Sequence, residues 1–269
     1  MAIDYEKFIH PEDRAGLKIL KNTLGFDALM KGYLSIVDER LMRGINMASM
    51  IRLGPDQLPE LYKPLPEICS TLGIPEPELY LEMDPIPNAH TFGDTNPYIV
   101  IKSGLVEMLS PEELKVVIAH ECGHILCHHV LYHTVGAIIG SVGGGLLLPV
   151  TEPVTWALKH WIRRSEFSAD RVAAYAVGNY EDVVKVMIRL AGGGSRVTEK
   201  VNIEEYFRQV EKYKETRDDS TYNKILQAWA IKNADHPFSG IRAVEVKKWF
   251  MENRDNLPEN ADAPKKLTW

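Results

Sequence analysis

The chain has 269 residues, 45% of them hydrophobic and 25% charged, a composition able to bury one large core, or a catalytic domain with an appended segment. A formal net charge of -6, with basic residues scattered among acidic ones, excludes electrostatic nucleic-acid binding, which needs a concentrated basic surface. Three cysteines, Cys69, Cys122 and Cys127, are too few and too odd for a disulfide-stapled secreted scaffold and fit a reducing compartment. The polar start MAIDYEKFIHPEDRAG lacks the basic-then-apolar pattern of a signal peptide, so a cytoplasmic location is expected.

Residues 1–53 read as an N-terminal helical segment, with Leu17, Leu20 and Leu24, then Leu34, Val37 and Leu41 at helix-like spacing. Gly54-Pro55 punctuates it. A helix is expected over residues 58–72, stopped by Gly73 and Pro75. Residues 78–83 (ELYLEM) alternate apolar with polar types, and residues 98–102 (YIVIK) are β-branched and aromatic. Between them, residues 88–93 (NAHTFG) suit a short strand ending at a glycine turn, so the spacing predicts a small hairpin-connected sheet.

Ser110-Pro111-Glu112-Glu113 announces a helix, with serine as cap, proline at the first helical position and Glu113 completing a capping box. That helix should run to about Tyr132, with Leu114, Val117 and Ile118 on its core face. Residues 134–151 (TVGAIIGSVGGGLLLPVT) carry no charge. They fall short of the roughly 20 apolar residues a spanning helix needs and contain five glycines. A buried, glycine-flexible connection is the favoured reading, with membrane contact as its rival. Further helices are expected at 154–177, ended by Gly178-Asn179, and at 181–190, 203–215, 221–231 and 240–252. Residues 54–252 then form the catalytic domain and 253–269 a solvated tail.

Chemistry concentrates in His120-Glu121-Cys122-Gly123-His124. Residues four apart share a helix face, so both imidazoles can reach one ion, and Glu121 is placed to take a proton from an attacking water. The same stretch carries His128, His129 and His133, whose pairs His124/His128 and His129/His133 are also four apart. Neither pair has a glutamate after its first histidine. They read as surface groups or as supports behind the ligands, with a weak accessory metal site as the alternative. Cys122 and Cys127 read as packing residues. A catalytic zinc takes three protein ligands and leaves one position open. Glu166 and Asp170 in EFSAD share the next helix's face, so Glu166 can be the third ligand and Asp170 can orient a ligand histidine.

These residues resemble those of the M48 metallopeptidases, the gluzincin family that includes the bacterial heat-shock membrane peptidase and the CaaX-prenyl proteases. HECGH resembles the family's H-E-x-G-H, EFSAD its E-x-x-A-D, NAHTFG its N-A-x-x-x-G, and His236-Pro237 with Arg242 its late H-P-x-x-x-x-R. All four stand in the family's order. The resemblance implies an α+β, predominantly helical, zincin-like domain whose small sheet edges the cleft. It implies Zn2+ on His120, His124 and Glu166, and a strand at Asn88 and Ala89 that pairs with an extended substrate. It also implies His236 as stabiliser of the oxyanion and Arg242 as a clamp on the ligand-bearing helix, through Asp170. Long spanning helices, as in the family's membrane members, are missing from the sequence, and residues 1–53 match none of these motifs. CaaX processing is thus disfavoured, and a peptide or unfolded protein is the expected substrate.

The expected activity is zinc-dependent hydrolysis of peptide bonds, with endopeptidase action expected. Its rivals are a catalytically silent zinc-binding interaction protein, an enzyme kept latent by its N-terminal helices, and a membrane-surface quality-control protease.

Overall fold

A computed structural model describes residues 3–36, 38–141, 152–218 and 239–257. The expected helix at 221–231, His236 and residues 142–151 lie outside the described residues.

Among the described residues the N-terminal segment holds a 3-10 turn at Tyr5–Lys7 and three α-helices: α1 (Pro11–Lys21), α2 (Phe26–Ile36) and α3 (Glu39–Ser49). Asp38 caps α3 through its carboxylate, and Pro11 sits at the start of α1. The expected apolar spacing finds these helices but not their faces. Leu20 is fully buried, whereas Leu24, Leu34 and Leu41 are exposed, and Val37 lies outside the described residues. Beside Leu20, α1 also buries Asp13 and Gly16. The expected single helix at 58–72 is two pieces, a turn at Pro59–Tyr62 and α4 (Pro64–Leu72). Pro64 lacks the amide that would join them. Gly73, at φ 65°, closes α4 in the left-handed conformation expected of a glycine cap.

The sheet contains β1 (Ile51–Arg52), β2 (Glu78–Glu82), β3 (Ala89–Phe92) and β4 (Tyr98–Lys102) in the order β1-β2-β4-β3. Only β3 and β4 form a hairpin, with Thr91 opposite Ile99. β2 joins β4 in parallel, with Tyr80 opposite Val100. β4 is therefore central, and burial of Tyr98, Ile99, Val100 and Ile101 explains why YIVIK is a continuous apolar run. β3 is left on an edge.

The site-bearing helices follow: α5 (Pro111–Leu126), α6 (Val130–Gly140), α7 (Glu152–Val177), α8 (Tyr180–Gly192), α9 (Ile203–Asp218) and α10 (Ser239–Glu252). The capping box forms as expected: Ser110 Oγ accepts from Glu113 N–H at 3.2 Å and Glu113 Oε2 accepts from Ser110 N–H at 2.9 Å. Arg189 of α8 donates to the other Glu113 oxygen at 2.7 Å, fastening the start of α5 to its neighbour. α5 stops six residues before the expected end. His128 adopts φ 60° and α6 begins at Val130, so His124 and His128 do not share a helix face. No glycine or proline marks this break.

One core packs α4, the sheet, α5, the second half of α7, α8 and α10 together. A second is made by Leu20, Phe26, Leu29 and Tyr33 of the N-terminal helices against Val135 of α6 and Val154, Leu158 and Trp161 of α7. The uncharged stretch is thus helical over residues 134–140, with Thr134 and Val135 buried. Among the described residues no helix is long and apolar enough to cross a membrane. Leu257 packs onto the main core, and the rest of the expected tail, from residue 258, lies outside the described residues.

Candidate metal centre

The site is built where α5 crosses α7. At Gly123 a Cβ would stand 3.0 Å from both Cα and O of Ala169 and 3.0 Å from Cβ of Val172. Only a residue without a side chain lets the two backbones approach so closely. That approach sets Glu166, one turn before Asp170, against the histidine face of α5.

His120 Nε2 and His124 Nε2 lie 3.2 Å apart. Glu166 faces both, with Oε2 3.4 Å from His120 Nε2 and Oε1 3.3 Å from His124 Nε2. His124 and Glu166 are buried, and the His120 side chain is 14% exposed, so its ring retains a path to the cleft. Two imidazole nitrogens and a carboxylate converging in this way could hold a metal ion, and the donor set is that of a catalytic zinc site.

The electrostatics favour a cation. Burial works against charge on the His120 ring, but hydrogen bonds to Asp170 and Glu166 and the charges of both outweigh it, lifting its pKa to about 10. His120 Nδ1 lies 3.0 Å from Asp170 Oδ1 and Nε2 faces Glu166. With a proton on Nδ1, the lone pair falls on Nε2, the atom directed at the site. Burial pushes the Asp170 carboxyl up, yet Arg242 and His120 hold it below the usual carboxylate range. Arg242 of α10 donates from Nε to Asp170 Oδ2 at 2.8 Å and from Nη2 to Oδ1 at 2.6 Å, and its Nη1 lies 3.0 Å from Glu166 Oε2. This bidentate fork ties α10 to α7 next to Glu166.

Glu121, 6% exposed, is held by Thr91 on the edge strand, whose hydroxyl donates to Oε2 at 2.6 Å. Thr91 was invisible as a functional residue in sequence. Its signal was its place in NAHTFG, where strand alternation turns residue 91 opposite to Phe92 and His90. Asn88 and Ala89 are half-buried at the start of β3; Asn88 O accepts from Lys102 N–H at 3.0 Å, and Ala89 pairs with Ile101. Pro87, Asn88 and Ala89 border a cavity of about 280 Å³ that also meets His120 and Glu121. Leu105, Val116, Val183, Val186, Met187 and Leu190 make its apolar wall.

Of the sequence-based candidates, His120, Glu121, His124, Glu166, Asp170, Arg242, Asn88 and Ala89 are thereby brought together around one cleft. His236 lies outside the described residues. Among the remaining histidines, His128 sits at the helix break. His129 is 2% exposed and touches His124, and burial together with the neighbouring His124 and His129 pushes the His133 ring well below its ordinary pKa. Cys122 and Cys127 are buried packing residues, as expected.

An H-E-x-x-H helix whose imidazoles meet a glutamate from the following helix, beside an edge strand and a cleft, defines a metallopeptidase. The chain belongs to peptidase family M48, whose sequence profile matches residues 56–250. It is 29% identical over 259 residues to the plastoglobule-localized metallopeptidase 48, chloroplastic, of Arabidopsis thaliana, covering 92% of this chain and 73% of that protein. Protease HtpX homolog 2 of Methanosarcina mazei is 25% identical over 174 residues, 54% of this chain and 59% of its own length. The protease HtpX homolog of Moorella thermoacetica is 25% identical over 203 residues, 64% of this chain and 67% of its own. The chain is accordingly a metallopeptidase that acts on peptide or protein substrates.

Proposed function

We propose that the chain is an endopeptidase of extended peptide segments, with His120, His124 and Glu166 holding zinc and Glu121 as general base. The observation that carries this reading is the meeting of His120 Nε2, His124 Nε2 and both Glu166 oxygens within 3.2–3.4 Å, with Glu121 beside them. Zinc bound there would polarise the scissile carbonyl and acidify the attacking water. Thr91 keeps the Glu121 carboxylate aimed, Glu121 takes the proton of the water, and the same carboxyl passes it to the leaving amine. The substrate backbone adds to the edge of β3 next to Asn88 and Ala89. The apolar wall formed by Val183, Val186 and Met187 selects an aliphatic or aromatic side chain next to the cleaved bond. Asp170 and Arg242 fix His120, and His236 is assigned to the oxyanion. Residues 54–252 carry the catalytic domain, and the three free cysteines support a cytoplasmic setting.

The test is cleavage of a diverse peptide library by the zinc-loaded protein and by Glu121→Gln, read by mass spectrometry. The wild type should cut beside apolar residues, and the variant should be slower by roughly 10²–10⁴-fold. Equal cleavage by both would remove Glu121 from the role of base.

A second reading places the same activity at a lipid surface. Leu34, Leu41, Met42, Ile45 and Met47 on α2 and α3 are all exposed, and one relative is named for plastoglobule localization. Failure to float with anionic or neutral vesicles would discard it.

A further inference from the structure

The peptidase reading leaves unused a buried histidine that touches a proposed ligand. His129 Nδ1 lies 3.0 Å from His124 Nδ1, and His129 Nε2 lies 3.0 Å from Oδ2 of Asp13 on α1. Asp13 is itself 2% exposed and receives two further hydrogen bonds. Trp161 Nε1 donates to Oδ1 at 2.7 Å, and the Ser168 hydroxyl donates to Oδ2 at 2.6 Å while accepting the His10 N–H at 2.9 Å.

These contacts fix the direction of every proton. A carboxylate ringed by donors only accepts, so the His129 proton that faces it is on Nε2. A neutral His129 then presents its lone pair on Nδ1, and the nitrogen opposite, His124 Nδ1, is the donor. That leaves the His124 lone pair on Nε2, the atom turned toward His120 and Glu166. The order is Asp13, His129, His124, and then the ion.

We propose that Asp13 and His129 are positioning residues for the metal, forming a relay from α1 that holds His124 in its ligating tautomer and ring orientation. The proposal rests on the reading of His124 as a ligand. Asp13 stands upstream of the span that matches the family profile, so the N-terminal helical segment takes part in the site instead of only covering it. Its docking is specific: Arg171 of α7 donates to Phe8 O and Ile9 O, and Glu12 pairs with Arg164.

His124, His129 and His133 could also be read as a second metal site. An ion there would need the same His124 nitrogen that faces His129. His133 Nε2 is already engaged with Ser165 Oγ at 2.8 Å, and Ser165 gives its own proton to Ile162 O at 2.7 Å. With Asp13 holding the far nitrogen of His129, the hydrogen-bonded arrangement satisfies every partner without an ion.

The experiment measures zinc stoichiometry and zinc affinity, by competition with a chromophoric chelator, on protein shown to be folded by circular dichroism. The wild type should bind one zinc. His129→Phe should bind it roughly 10- to 100-fold more weakly, the usual loss when the outer partner of a ligand is removed. His129→Gln keeps an oxygen to accept from His124 and an amide to donate to Asp13, and should recover most of that loss. Equal affinity in the wild type and His129→Phe would overturn the relay. So would equal loss in the Phe and Gln variants, which marks a packing role, or a second wild-type zinc that disappears from His129→Phe. Should the phenylalanine variant not fold, Asp13→Asn decides. It offers one acceptor oxygen to three donors and should also weaken zinc, and unchanged affinity would overturn the proposal. A wild type that binds no zinc would sink the ligand assignment itself, which is a separate result.

Discussion

The two histidines of the motif are supported from opposite sides of the fold by different chemistry. His120 leans on the C-terminal side, through Asp170 and the Arg242 fork of α10. His124 leans on the N-terminal side, through His129 and Asp13 of α1. The first support is a buried charge network in which one guanidinium answers two carboxylates. The second is a file of hydrogen bonds ending in a single carboxylate. The difference teaches which support the fold depends on. Removing a partner from a buried ion network leaves an uncompensated charge and threatens the fold, whereas interrupting the relay chiefly misorients His124, the proposed ligand.

The comparison is broken most severely at Arg242. Arg242→Met leaves the His120 ring alone to answer the buried Glu166 and Asp170 carboxylates, and should destabilise the metal-free protein by roughly 3–5 kcal/mol in denaturant unfolding. Zinc should restore part of this loss, because it supplies positive charge to the same carboxylates. Asp170→Asn is milder. It weakens the hold on His120 Nδ1 and should reduce zinc affinity by about 10- to 100-fold in a chelator competition.

Gly123→Ala tests the distance between α5 and α7 without touching either support. The added methyl meets Ala169 backbone and Val172 at 3.0 Å, and should cost about 1–3 kcal/mol in thermal or chemical unfolding. The charged side also predicts a pH dependence. In the metal-free protein His120 holds a proton up to a pKa of about 10, and zinc must displace it. Affinity should therefore rise as pH rises, by up to about tenfold per unit between about pH 6 and pH 9. A flat profile in isothermal titration would mean that the His120 proton is not what zinc replaces.

Much of the C-terminal support was legible in the sequence because local rules and family motifs agree there. The capping box placed the start of α5, the i, i+4 spacing aligned His120 with His124, and EFSAD placed Glu166 and Asp170 on one face of α7. The N-terminal support was not legible. Asp13 lies 116 residues from His129 and 148 from Trp161, and no local rule links a buried carboxylate to partners at such separations. The leucine spacing was half right: Leu20 is buried and Leu17 packs on the second core, but Leu24, Leu34 and Leu41 stay exposed, and the spacing gave no sign that α1 also buries Asp13 and Gly16. The turn at His128 was missed for a similar reason, since a left-handed histidine carries no glycine or proline signal. The sheet was half legible: strand composition located β2, β3 and β4, but the parallel pairing of β2 with β4 follows from tertiary packing.

The most direct test of the central claim is a crystal structure of the zinc-loaded protein with an anomalous difference map at the zinc edge. The account predicts one peak bounded by His120 Nε2, His124 Nε2 and the Glu166 carboxylate, at about 2.0–2.2 Å from each, with His124 Nδ1 still hydrogen-bonded to His129. A peak centred instead among His124, His129 and His133, or a zinc ligated without Glu166, would contradict it.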